Sequence, residues 1–382
     1  MSRSLRVVIV AMTVVGTLAV PLATPASAGV AAATVNVNDA GGLTYNGLPG
    51  YAHVVRVSKT GRTVDIDDTR PLAVTGACTF PVPADETMVR CTVAAESPDV
   101  FIQTGDGNDR VTLIGGGLVN WRVSLGRDDD YAVLTGVDRP GSYVAGGAGF
   151  DGVEPSPLGG TFDGGSDGDT VNYGGRTTPV VVDLAAGTGP DRLIGVENVT
   201  GGSADDTITG DAVENHLSGG PGDDTLNGGD GPDALIGGLG ADRLTGGPGD
   251  DHASYLGHPA GVVADLDGLA DDGIPGERDR IDADVESIGG SVYADTLTGN
   301  SGSNTLVGDP ANPLGLGGND VLYGGGGPDV LYGFGGDDRL FGQGGDDALF
   351  GEAGTDHLDG GLHRDRCVSG SGGVGTVLNC EF

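Results

Sequence analysis

Aspartates recur in this chain at nine-residue steps, at 224, 233, 242 and 251 and again at 320, 329, 338, 347, 356 and 365. In GGPGDDTLNGGDGPDALIGGLGADRLTGG (219–247) each copy carries two glycines, another glycine (222, 231, 240), an aspartate two positions later (Asp224, Asp233, Asp242) and a leucine two beyond that. Glycine permits left-handed turns and leaves carbonyl oxygens uncovered by side chains. Carbonyls and carboxylates together make an all-oxygen cage, which suits calcium. Magnesium keeps its waters and zinc wants His or Cys, so neither fits as well.

The elements that would position these groups follow from the same period. Position eight of each copy is apolar (Ile208, Leu217, Leu226, Leu235, Leu244 and Ala253, then Leu322, Leu331, Leu340, Leu349, Leu358 and Cys367), while positions seven and nine vary. One inward residue between two outward ones is strand patterning, not helical. A three-residue strand needs partners, and stacked copies supply them while burying the leucines in a narrow column. Two nonapeptides close a coil of eighteen residues, so the expected fold is all-β: a parallel β-roll or β-solenoid. Stacking also sets equivalent carboxylates about 4.8 Å apart. Two unit charges there repel by roughly 1 kcal/mol in water and several times that near a protein surface. Such a ladder opposes folding unless cations lie between its rungs; isolated Asx-turns would require no ladder.

The pattern G-G-x-G-x-D-x-U-x, as in Gly219 to Asn227 and Gly324 to Tyr332, resembles the haemolysin-type calcium-binding repeats of the repeats-in-toxin (RTX) family. Copies cover most of 201–254 and 290–368. The resemblance implies several calcium ions between the turn loops of successive coils, held by glycine-loop carbonyls and the position-six aspartate. Carried onto this chain, the candidate metal residues are Asp206, Asp224, Asp233, Asp242 and Asp251 in the first run, and Asp295, Asp320, Asp329, Asp338, Asp347, Asp356 and Asp365 in the second. Earlier copies add Asp109, Asp151 and Asp169, and the candidate carbonyls belong to Gly220, Gly222, Gly229, Gly231, Gly238, Gly240, Gly325 and Gly327. Asn215 and Asn304 hold the same place with neutral oxygens and are expected to bind weakly.

Composition sets the wider frame. With 76 glycines among 382 residues, 5% aromatic residues and a formal net charge of −36, the chain has little with which to build a large core. Lys59 is the single lysine, which argues against nucleic acid and anionic membranes as partners and for cations. Residues 1–28 read as a secretory signal peptide: Arg3 and Arg6, an apolar run from Val7 to Val20, then Ala26-Ser27-Ala28. The protein is therefore expected outside the cell, with no membrane span. Cys78 with Cys91 and Cys367 with Cys380 form two local pairs, read as disulfides of open connectivity.

Residues 29–100 alternate like strands (TVNVND, HVVRVS, TVDIDD) and are expected to cap the first sheet edge as a β-rich domain. Residues 101–172 read as transitional coils, because Asp109, Asp130, Asp151 and Asp169 lie 21, 21 and 18 residues apart. Inserts at 173–200 and 255–289 resemble each other (PVVVDL and GVVADL, then DRLIGVENV and DRIDADVESI) and read as enlarged coils around the repeat run 201–254. The middle of the second insert, 270–279, is expected to be an exposed loop, and Glu197 and Glu286 to be solvated or turn-capping. A second run occupies 290–368, and 369–382 is expected to be a carboxy-terminal cap tied by a disulfide.

Catalytic motifs fail on context. No histidine begins an H-E-x-x-H motif. Gly164 to Gly168 matches G-x-S-x-G and 147–152 imitates G-x-G-x-x-G, but both lie inside repeats with no helix to follow. The reading is a secreted, non-enzymatic calcium-binding repeat protein that folds on binding its ions. The alternative is an extracellular adhesion or scaffold protein whose amino-terminal domain or inserts bind a protein or glycan partner, with the roll as spacer.

Overall fold

Apolar residues alternate with polar ones over short stretches everywhere in this chain, and the computed structural model turns those stretches into strands. It describes residues 31–38, 42–93, 99–115, 119–135, 141–310, 317–370 and 375–381. The segment read as a signal peptide lies outside the described residues. Among the described residues there is no helix, and so none long and apolar enough to cross a membrane. The chain divides into two compact units, the first running to Ser203 with Ile208–Asp211, the second comprising Ala204–Thr207 and Ala212–Phe382.

In the first unit, strands Asp99–Asp106, Asn120–Arg127, Ser142–Ala148 and Gly160–Ser166 pair in parallel on one face. Arg110–Gly115, Tyr131–Thr135, Gly152–Glu154 and Thr170–Asn172 pair in parallel on the other. Trp121 sits beside Val100 and Val123 beside Ile102, so coil length equals the 21-residue spacing of the aspartates. Val100, Ile102, Trp121, Val123 and Leu125 are all buried, because every second side chain of a strand points inward. The end of this solenoid is covered by antiparallel strands. Ala33–Val37 pairs with Leu43–Gly47, and Val54–Thr60, Thr63–Asp67 and Met88–Thr92 form a meander. Cys78 and Cys91 are opposite each other there and joined by a disulfide.

The second unit has the eighteen-residue register that the nonapeptide implies. Leu217 stacks on Leu235, Leu226 on Leu244, Leu322 on Leu340, Leu331 on Leu349 and Leu340 on Leu358. All these leucines are 0–2% exposed. The column is only one side chain wide per strand, so neighbours cannot collapse far into a gap. Leu331→Ala is therefore expected to cost about 2–5 kcal/mol, read as a lower urea midpoint in calcium; a cost below about 0.5 kcal/mol would mean the column is not the core. Position nine is more than variable in the second run: Tyr323 stacks on Phe341 at 5.1 Å and Tyr332 on Phe350 at 5.0 Å. At the far end Thr376–Leu378 adds a parallel strand to His357–Asp359, and the Cys367–Cys380 disulfide holds the return.

The 270–279 segment is an exposed loop only in part: Ala270, Asp271, Pro275, Gly276 and Arg278 are exposed, whereas Asp272, Gly273 and Asp279 are buried. Antiparallel bridges Val263–Gly273 and Asp272–Asp279 fold it back, and Asp272 and Asp279 are 3% and 2% exposed. Their carboxylates accept backbone N–H groups, Asp272 from Asp265 and Ile281, Asp279 from Asp242, which draws the segment inward despite its polar composition.

Candidate metal centres along the aspartate ladder

Each position-six aspartate does structural work with one oxygen. Asp224 Oδ1 accepts the backbone N–H of Asp206, and Asp242 Oδ1 that of Asp224, at 2.6 and 2.8 Å. Asp233 and Asp251 repeat this toward Asn215 and Asp233, both at 2.8 Å. In the second run Asp338, Asp347, Asp356 and Asp365 reach back to Asp320, Asp329, Asp338 and Asp347. The first unit carries the same ladder through Asp109, Asp130, Asp151 and Asp169. The turn exposes an N–H that the strand ladder does not use, and a side chain as short as Asp reaches it across one strand spacing.

The other oxygen is left over. Oδ2 is buried without a hydrogen-bond partner in Asp109, Asp130, Asp151, Asp169, Asp224, Asp242, Asp251, Asp320, Asp329, Asp338, Asp347, Asp356 and Asp365. One orphaned carboxylate oxygen would be an oddity, but a periodic series suits a row of cations. Glycine at position one makes the space. A methyl carbon placed on Gly324 would lie 2.5 Å from Asp329 Oδ2 and 2.8 Å from the Gly342 carbonyl, so two oxygens from successive coils converge on one point. Calcium takes oxygen ligands, and the donor set here is all oxygen. The cradle fits calcium.

The candidate glycines Gly220, Gly222, Gly229, Gly231, Gly238, Gly240, Gly325 and Gly327 all have φ between 94° and 143°. Their necessity is double at Gly238, where a Cβ would also strike the Gly220 carbonyl of the preceding coil. Phe334, Gln343 and Glu352 occupy the second position of their copies at φ of 69°, 70° and 68°, so the turn geometry persists without glycine.

Burial, and then the neighbouring carboxylates, push the ladder acids up. Asp130, Asp242 and Asp320 rise to about 8, Asp169, Asp251 and Asp329 to about 7, and Asp151, Asp224 and Asp338 to about 6. The N–H received at Oδ1 acts in the opposite direction but is outweighed.

Several places depart from the simple period. Asp206 is 1% exposed at the start of its ladder. Asp295 has no spare oxygen, because Val262 N–H, Ser291 N–H and the Ser291 hydroxyl all donate to it. Asn304 turns its amide to donate to the Glu286 carbonyl at 3.2 Å. Glu197 and Glu286 are rungs: each accepts the N–H of the preceding aspartate, Asp169 and Asp251, at 2.8 Å. Asp279 continues the ladder beyond Asp242, 37 residues on, where the insert lengthens the coil. Their spacing hides them; only the paired strands DRLIG and DRID, which restore the register, hinted at their place. A Cβ on Gly308 would strike Asp320 Oδ2, so Gly308 fills the position-one place against Asp320. Asp295 and Asp320 are accordingly 25 residues apart on the ladder rather than 18, and Asp309 adds another buried, orphaned Oδ2.

Comparison with known proteins agrees with this geometry. The RTX calcium-binding nonapeptide repeat matches residues 193–212, 200–235 and 218–253, then 288–312, 314–349 and 341–373. No curated protein matches the chain. The repeat-bearing part of this chain is thus a β-roll of RTX calcium-binding nonapeptide repeats.

Proposed function

We propose that this is a secreted, non-enzymatic calcium-binding protein whose repeats fold when calcium fills the aspartate ladder. The observation that carries the reading is the series of buried, partnerless Oδ2 atoms, which face a position-one glycine at every rung named above except Asp109 and Asp130, where Thr104 and Leu125 stand. Asp224, Asp242, Asp251, Asp320, Asp329, Asp338, Asp347, Asp356 and Asp365 would hold the ions together with carbonyls of the glycine turns, and Asp109, Asp151 and Asp169 would do so in the first unit. The bound cation would supply charge neutralisation between rungs; the chain's own part is to present oxygens at fixed spacing. Binding to the folded state alone makes ion affinity into folding free energy.

Export is supported by the amino-terminal apolar segment and by two disulfides, which persist in oxidising compartments. The non-enzymatic reading is supported at Ser166, the serine of G-x-S-x-G. It ends strand Gly160–Ser166, donates to Asp167 and is followed by strand Thr170–Asn172 in place of the helix a nucleophile elbow needs.

The test is far-ultraviolet circular dichroism of the chain without residues 1–28, in chelator and then titrated with calcium, with magnesium as control. A cooperative coil-to-β change specific to calcium is expected. A spectrum already β-rich in chelator at neutral pH and unmoved by calcium would overturn the reading.

A further inference from the structure

We propose that His258, Glu277 and Asp279, in the second insert, form a metal site of a different kind, which takes a first-row divalent cation of the zinc class. Their ligand atoms lie within 4.8 Å of one another. The three come from a segment that folds back on itself, so nothing in their spacing announced them.

The histidine gives the site its direction. His258 Nδ1 is 3.0 Å from the Tyr255 carbonyl, which can only accept, so Nδ1 carries the hydrogen. In the neutral ring Nε2 then presents a lone pair. Nε2 is buried, has no hydrogen-bond partner and lies 3.4 Å from Glu277 Oε2. Two electron-rich atoms face each other there, with side chains only 4% and 5% exposed. Something positive belongs between them. A proton on Nε2 would draw the pair to hydrogen-bond length, about 2.7–2.9 Å for a charged pair, which the observed separation exceeds.

The carboxylates are held in place for the task. Glu277 accepts N–H groups from Gly240 at 3.2 Å and Ile274 at 2.9 Å, and Asp279 accepts that of Asp242 at 2.9 Å. The Tyr255 ring packs edge-on against the imidazole at 4.9 Å. A ligating histidine whose other nitrogen donates to a backbone carbonyl, beside carboxylates fixed by backbone donors, is the usual outer support of a metal site. One imidazole and two carboxylates suit zinc better than calcium, which takes oxygen ligands. The site is thus chemically distinct from the aspartate ladder, although Asp279 touches both.

The experiment is a zinc titration of the full chain in millimolar calcium, followed by equilibrium dialysis, for the wild type and for His258→Gln. Circular dichroism in the same buffer establishes that both are folded and calcium-loaded, which separates failure here from failure of the calcium reading. The wild type is expected to retain one more zinc per chain than His258→Gln, with affinity at that site lowered at least about 100-fold in the variant. Cobalt(II) in place of zinc should give a visible absorption that the variant lacks. Should His258→Gln not fold, Glu277→Gln, which keeps an oxygen for a backbone donor, takes its place with the same expected loss. Equal zinc retention and equal cobalt spectra in folded wild type and variant would overturn the proposal and leave His258 and Glu277 as a simple ion pair.

Discussion

Asp338→Asn is expected to stabilise the chain in chelator and destabilise it in calcium. The Asp338 carboxylate is 1% exposed as a residue, its Oδ1 takes the Asp320 N–H at 2.9 Å, and its Oδ2 has no partner. An asparagine keeps an oxygen for the Asp320 N–H and removes the buried charge. Asn304 shows that the fold accepts an amide in this place, where it donates to a carbonyl. Without calcium the variant escapes the cost of a desolvated, repelling carboxylate. With calcium it removes a charged ligand, and the calcium midpoint should rise at least about tenfold, or 1.4 kcal/mol. Asp338→Ala separates the two roles. It leaves the Asp320 N–H buried and unpaired, which costs about 1–3 kcal/mol with or without calcium. Urea unfolding in calcium, and in chelator the pH at which each of the three proteins gains β-structure, read the result. If Asp338→Asn stabilised the fold in both conditions, or destabilised it in both, the carboxylate would be structural and not an ion ligand.

Acid is expected to replace calcium in part. In chelator the ladder carboxyls are raised to about 6–8, above the unfolded value of about 3.9, chiefly by burial and then by their neighbours' charges. A group whose folded pKa is raised stabilises the fold below its unfolded pKa, and that contribution is lost as pH climbs through the folded value. The chelated chain should therefore gain β-structure as pH falls from about 8.5 to about 4, the window between the raised folded values and the unfolded one. The calcium midpoint should fall over the same range as pH rises, because ions and protons compete for the same oxygens. Circular dichroism against pH in chelator measures the first effect, and calcium titrations at several pH values the second. A chelated chain whose spectrum is flat across the window would mean that the ladder carboxylates are solvated and need neither proton nor ion.

The architecture was legible because it is a lattice. A nine-residue sentence with one inward leucine admits only a coil of two copies, and Leu331 beside Leu349 follows at once. The burial of Asp329 and Asp347 follows too, since the turn that places one places all. Harder to read was the division of labour within a carboxylate. Period alone cannot say that Oδ1 ties coils together while Oδ2 is left for an ion, because the donating N–H sits 18 residues away.

By itself, then, the sequence determined the coil length, the leucine column, the place of the acidic ladder and the kind of cation it invites, all consequences of a repeated spacing. Tertiary structure alone decided where that spacing breaks and what fills the break. Glu197, Glu286 and Asp279 keep the ladder going where inserts lengthen the coil, and Gly308 stands against the Asp320 carboxylate. Folding back the 270–279 segment also brings Glu277 and Asp279 to His258. The reason is physical: a repeat encodes contacts between equivalent residues, whereas the path of an insert is set by which backbone donors and buried carboxylates it meets on its return to register.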